Sequence, residues 1–328
     1  MTSTRAQVSR GIGLLLAACL TGCSASPGAT SPASSTRTTT ATTTTAPPGE
    51  PTSSTSTATS QPVDGVPRFR HVFLVMMENL GYGPAMSTAG LASLARRYAS
   101  AANYWAVSHP SLPNYLALTS GSTWGIASDC TSCYVSAPNL GAELSKAGVP
   151  WGAFFEGVPS SCYLDPYSAR GDYAGKHNPF RYYTDIRDSP TLCAHLRPLD
   201  QLSRALAGPA GSVPRFVWVT PDLCHDGHDC PAATAAAWLQ GFVASVVRSA
   251  AWSDGGALFV TWDESESGGA MGGRVLTLVI APDVPGGLAV GTYYTHYSLL
   301  ATIEDAFGLP LLGGARTARP MTAFFTHG

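Results

Sequence analysis

The chain has 328 residues, 45% of them hydrophobic and only 12% charged, with a formal net charge of −2 at pH 7. No basic stripe and no run of like charge stands out along it, so the composition points away from a nucleic-acid partner. Apolar residues are spread unevenly, and only the part after about residue 65 is rich enough in them to build a core.

Residues 1–22 read as a lipoprotein signal peptide. Arg5 and Arg10 precede an apolar run over 12–20, which is too short to span a bilayer. The run ends in Leu20-Thr21-Gly22-Cys23, which resembles a bacterial lipobox, so Cys23 is the expected lipidation site. This implies an exported protein anchored at the outer face of the cell membrane, with plain secretion as the alternative. Residues 23–65 are nearly all Ser, Thr, Pro, Ala and Gly. They have no apolar periodicity and are expected to form a disordered linker. Residues 66–328 remain as one domain.

Within that domain, continuous apolar runs at 71–77, 216–220, 257–262 and 275–281 read as buried parallel strands, with 151–155 as a fifth. Helical stretches are expected at 91–99, 139–147, 232–249 and 298–307. Strands alternating with helices predict an α/β fold with a mostly parallel central sheet and helices on both faces. Ligands of such sheets bind beyond the C-terminal strand ends. Glu78-Asn79 follows the first run, T-P-D-L-C-H-D-G-H-D-C (220–230) ends the run at 216–220, and Asp263-Glu264 follows the run at 257–262. One rim would thus collect carboxylates, an amide and imidazoles. Glu78, Asn79, Asp263 and Glu264 supply oxygen ligands, which suit Ca²⁺, Mg²⁺ or Mn²⁺ better than a thiolate-type zinc site.

Residues 108–115, S-H-P-S-L-P-N-Y, read as a helix entrance. Ser111 is the expected N-cap, Pro113 falls in the first turn and Gly121 ends the helix. A serine there faces free N–H groups and the positive end of the helix dipole, which suits a phosphate. Beyond Cys23 six cysteines remain. In an exported domain they imply disulfides, and pairing by proximity in sequence gives Cys130–Cys133, Cys162–Cys193 and Cys224–Cys230.

M-M-E-N, H-P-S-L-P-N-Y-L-A-L-T-S-G, K-H-N-P-F, D-x-H-D, T-W-D-E-S and T-H-Y-S-L-L-A-T-I-E-D-A-F-G-L-P occur in the order seen in the bacterial phosphoesterase family. The chain resembles that family of metal-dependent acid phosphatases and phospholipases C, part of the alkaline phosphatase superfamily, over about residues 70–310. The resemblance implies an alkaline-phosphatase-like fold and one divalent metal ion, with Ca, Mg or Mn favoured and zinc as the alternative, held by Glu78, Asn79, Asp263 and Glu264. It implies Ser111 as nucleophile and metal ligand, and Asn114 as a binder of phosphoryl oxygens. His177, His228 and His296 are the implied remaining catalytic groups. Asp226, with His228 and His296, would form a second site or position the phosphate, and Lys176 would add positive charge for the substrate. Asp222 and His225 are left outside the site, and His109 is expected only to pack or bond locally. Tyr115 stands where sulfatases of the superfamily carry Arg, which points away from sulfatase activity. The expected function is a phosphomonoesterase acting on small phosphate esters. The alternatives are a phospholipase C or other phosphodiesterase acting on a phospholipid head group, and a surface binding protein with a degenerate site.

Overall fold

The structure is a computed structural model in which residues 65–325 are described. The expected signal peptide, Cys23 and nearly all of the linker lie outside the described residues. Among the described residues nine strands form one sheet: β1 His71–Met77, β2 Ala99–Trp105, β3 Trp151–Phe155, β4 Leu196–Pro198, β5 Phe216–Thr220, β6 Gly256–Trp262, β7 Arg274–Ile280, β8 Ala289–Val290 and β9 Tyr294–Thr295. Their order is β4-β3-β5-β1-β6-β7-β2-β8, with β9 also paired to β2.

Every residue of β1, β3, β5 and β6 is buried. That explains why these strands read as continuous apolar runs, since both of their faces are covered. Helices Ala89–Arg97, Leu140–Lys146, Ala232–Val247 and His296–Phe307 fall within two residues of the expected limits. The longest, Ala232–Val247, buries Ala235, Ala236, Leu239, Val243 and Val246, a stripe at helical spacing.

The run at 275–281 forms β7, but not as a parallel strand. It is antiparallel to both β6 and β2. Between Trp262 and Arg274 lies only the short 3₁₀ turn Gly269–Met271. A parallel crossover needs a dozen or more residues, usually with a helix, so the chain must turn straight back. β2 was not expected as a strand at all, and its first residue, Ala99, was assigned to the preceding helix. Because β2 is antiparallel to β7, it runs in the direction of β1 and β6. The C-terminal ends of β1, β2, β3, β5 and β6 therefore share one rim.

Candidate active site

Glu78 directly follows β1 and is fully buried, and Asn79 comes next with φ +50°. That left-handed turn directs the Asn79 N–H to Asp263 Oδ1 at 2.9 Å and ties the end of β1 to the end of β6. β2 leads into the helix Ser111–Ser120, which Gly121 closes at φ 71°. The N-cap is Pro110, so Ser111 is the first helical residue rather than the cap. This frees its hydroxyl from capping, and Oγ donates to Glu78 Oε2 at 3.1 Å. Asp129 takes over the cap's task by accepting from Leu112 N at 3.0 Å.

Two further side chains reach Glu78. The Tyr115 hydroxyl donates to Oε1, and His177 Nε2 lies 3.2 Å from Oε2. The other ring nitrogen of His177 is 3.3 Å from Asp226 Oδ2. Neither pair is aligned as a hydrogen bond, and His177 Nε2 and Asp226 Oδ2 are buried without a hydrogen-bond partner among the described residues. Burial alone would lower the His177 pKa, but the Glu78 and Asp226 carboxylates outweigh it and raise it to about 10. Burial would likewise push Glu78 up, and the His177 charge holds it below its usual value.

On the other side of Glu78, burial raises Asp263 well above the usual carboxylate range, helped by Glu78 and Glu264. Its Oδ2 has no hydrogen-bond partner among the described residues. Burial raises Glu264 to about 7. Its Oε2 meets His109 Nδ1, so His109 reaches a rim carboxylate 155 residues away rather than bonding only locally. Four buried carboxylates thus gather around the end of β1, the buried imidazole of His177 touches only Glu78 and Asp226 of them, and Asp226 Oδ2 and Asp263 Oδ2 find no hydrogen-bond partner among the described residues. That is a site with an excess of negative charge, and a divalent cation fits it. Glu78, His177 and His228 each offer a ligand atom, all within 4.8 Å of one another. Of the expected oxygen ligands only Glu78 belongs to this group, and its other two members are the imidazoles of His177 and His228.

Lys176 Nζ pairs with Asp129 Oδ2 at 2.9 Å and lies 3.2 Å from His228 Nε2. His228 N donates to Asp226 Oδ1 at 2.8 Å, and His228 Nδ1 contacts Asp229 Oδ1 at 2.6 Å. The loop that carries them is closed by the Cys224–Cys230 disulfide, and Cys130–Cys133 and Cys162–Cys193 are bonded as expected.

Two expected groups are placed differently from their expected roles. The Asn114 side chain is fully engaged with loop backbone. Its Oδ1 accepts from Val107 N and Ser108 N, and its Nδ2 donates to Ser108 O and Pro110 O. It fastens the loop before the helix and keeps no open valence for a phosphoryl oxygen. His296 is wholly buried, with Nδ1 on the Tyr104 hydroxyl at 3.0 Å and Nε2 on the Asp263 carbonyl oxygen at 2.7 Å. Burial lowers its pKa to about 4, so it acts as a neutral brace for the end of β6. Sequence reasoning missed Asp129 and the Tyr115–Glu78 contact. Only the i, i+4 spacing of Ser111 and Tyr115 on one helix hinted at the latter. Glu156, Asp222 and His225 form a second, half-exposed cluster at the ends of β3 and β5, where His225 Nδ1 lies 3.0 Å from Glu156 Oε2 and 3.3 Å from Asp222 Oδ2.

Residues 77–310 match the sequence model of the Phosphoesterase family. The chain belongs to this family. Among its relatives, the phosphatidylinositol-3-phosphatase of Mycobacterium tuberculosis is 32% identical over 78% of this chain and 83% of its own length. A protein of Kluyveromyces lactis named as a probable acid phosphatase is 27% identical over 80% of this chain. The match spans 64% of that protein's own length, and 57 to 64% for the fungal acid phosphatases of Penicillium chrysogenum, Aspergillus fumigatus and Aspergillus niger taken with it. In fold, this phosphoesterase resembles a protein in the alkaline phosphatase superfamily from Vibrio parahaemolyticus, with a TM-score of 0.52 and 12% identity over 78% of this chain and 71% of the other.

Proposed function

We propose that this phosphoesterase is a metal-dependent phosphomonoesterase of the acid phosphatase kind, with Ser111 as its nucleophile. The observation that carries the reading is the Ser111 hydroxyl at the first position of a helix, donating to buried Glu78 beside His177. Family membership supports the reaction class, and the names of its relatives support the monoester substrate. The cation would be held by Glu78, Asn79, Asp263 and Glu264 with Ser111. When bound, it would lower the pKa of Ser111 Oγ and polarise a phosphoryl oxygen.

The chain's own residues supply the rest. Glu78 fixes the direction of Ser111 Oγ. The dipole of the Ser111 helix, together with Lys176, favours the phosphoryl charge. Ser111 Oγ passes its proton along its hydrogen bond to Glu78 Oε2 and attacks phosphorus as the ester P–O bond breaks, and the proton returns to Oγ when water releases the phosphate. His228, on the disulfide-closed loop and partly exposed, gives a proton to the leaving oxygen. It then takes one from the water that releases phosphate from the serine. His177 stays charged between Glu78 and Asp226 and offsets their repulsion.

The name of the Mycobacterium tuberculosis relative favours a second substrate, a phosphate monoester on an inositol lipid. Export is the setting in which three disulfides persist, and anchoring through lipidated Cys23 would place the site at the membrane surface. Cys23→Ser should release the protein from the membrane fraction. A panel of aryl phosphate, bis-aryl phosphate, aryl phosphocholine and phosphatidylinositol 3-phosphate tests the function. Turnover of the monoesters alone supports the reading, whereas preference for the phosphocholine or the diester replaces it with a phospholipase C or phosphodiesterase. No turnover of any of the four leaves a binding protein.

A further inference from the structure

Ser111 and Tyr115 stand four residues apart on one helix, so their side chains project from the same face one turn apart. Both end on the same carboxylate. Ser111 Oγ donates to Glu78 Oε2, and the Tyr115 hydroxyl donates to Oε1. The rest of Tyr115 is equally fixed. Its ring lies parallel to His177, at 7° with centroids 5.5 Å apart, and is tilted against Trp218 at 6.0 Å. No part of Tyr115 or Glu78 reaches solvent.

We infer that Tyr115 is a positioning residue, which holds Glu78 so that Oε2 alone faces Ser111 and His177. A carboxylate on a strand end turns readily about its terminal torsion, because that torsion has broad wells. With Oε1 occupied by the phenol, a turn of the carboxylate costs a buried charge-assisted hydrogen bond. One rigid helix therefore sets both the nucleophile and the orientation of the group that the nucleophile leans on. Outer partners of this kind tune ligands through their direction.

This inference rests on the proposed reading of Ser111 and Glu78, so its test has one arm that does not need turnover. Tyr115→Phe keeps the ring, its stacking and its volume, and removes only the hydroxyl. The assays are steady-state hydrolysis of an aryl phosphate and calorimetric titration of chelator-treated full-length protein with Mn²⁺. The expected result is a kcat lower by about 10–100-fold with KM within about twofold, and Mn²⁺ affinity weaker by a factor in the same range. Thr119→Ala is the control for a purely structural effect. Thr119 is buried one turn further along the same helix and bonds the Tyr183 hydroxyl at 2.7 Å, away from Glu78. It should lower the melting temperature and leave kcat and Mn²⁺ affinity near those of the natural chain. Tyr115→Phe with undiminished kcat and Mn²⁺ affinity overturns the inference. Equal losses in Thr119→Ala overturn it as well. If the natural chain hydrolyses nothing, the function reading fails, and the Mn²⁺ arm alone decides the role of Tyr115.

Discussion

Replacing Ser111 by alanine separates two roles that the sequence left entangled. Ser111 is not the helix cap, so the change removes no capping bond, and alanine suits the first helical position. What it removes is one hydrogen bond to a buried carboxylate. Bonds to charged groups are worth about 1.5–3 kcal/mol, which in a domain of this size means a melting temperature lower by several degrees. Tyr115 and His177 still face Glu78, so the carboxylate is not stranded. The fold should therefore survive at 25 °C. Turnover should not: removal of a serine nucleophile costs on the order of 10⁴–10⁶ in kcat, or roughly 5–8 kcal/mol of barrier. Thermal unfolding and aryl phosphate kinetics on the same sample measure both quantities. Ser108→Ala is the companion, since Ser108 Oγ makes only a long 3.4 Å contact to the His109 carbonyl and should change neither. A folded Ser111→Ala chain with turnover within tenfold of the natural one refutes the nucleophile assignment, and loss of turnover only in step with loss of folded protein reduces Ser111 to a structural residue.

Exhaustive chelation should abolish hydrolysis and Mn²⁺ should restore it, while Asp263→Asn should bind far less metal by elemental analysis; full activity in a metal-free sample removes the cation from the account. Replacing both Cys224 and Cys230 by serine frees the loop that carries Asp226 and His228, so kcat should fall by roughly tenfold or more, as when outer partners of a site are lost, and an unchanged kcat shows the loop to be held by other contacts. Glu304 is buried, with Oε1 accepting from Leu312 N and Oε2 unpartnered, and burial raises its pKa from 4.5 to about 8. The folded state therefore holds this proton more tightly than the unfolded one, and the stability contribution is full below about pH 4.5 and lost as pH rises through about 8. Glu304→Gln should flatten that decline, so its melting temperature should gain on the natural chain between pH 5 and 8, and parallel curves contradict the buried-acid reading.

The strands that matter for the site were legible because they are buried on both faces. β1, β3 and β5 have the residue limits that their apolar runs mark. β2, A-S-A-A-N-Y-W, was not legible, because alanine, serine and asparagine carry little strand preference and its pairing is imposed by β7 across the chain. The direction of β7 follows from a short connection, a feature of spacing rather than composition. In the site, residues that come directly after strands, Glu78, Asn79, Asp263 and Glu264, announced themselves by position. The partners that govern them did not. Asp129 reaches Leu112 and Lys176, Tyr104 reaches His296, and His109 reaches Glu264 across separations of 17 to 192 residues. Such contacts exist only once the sheet has assembled. His296 is spent in the same way on Tyr104 and Asp263, whereas Asn114 is spent on the backbone of the loop just before its own helix, four to seven residues away.

The covalent step offers the most direct test of the central claim. Attack by Ser111 Oγ on a phosphate monoester leaves a phosphoseryl protein that water must later hydrolyse. Protein quenched in acid during turnover of an excess of aryl phosphate, then digested and read by peptide mass spectrometry, should carry one phosphate on the peptide containing Ser111-Leu112-Pro113-Asn114, and fragmentation should place it on Ser111. The same quench of Ser111→Ala should yield none. A phosphate that maps reproducibly to another residue, or to none while hydrolysis proceeds at full rate, contradicts the account.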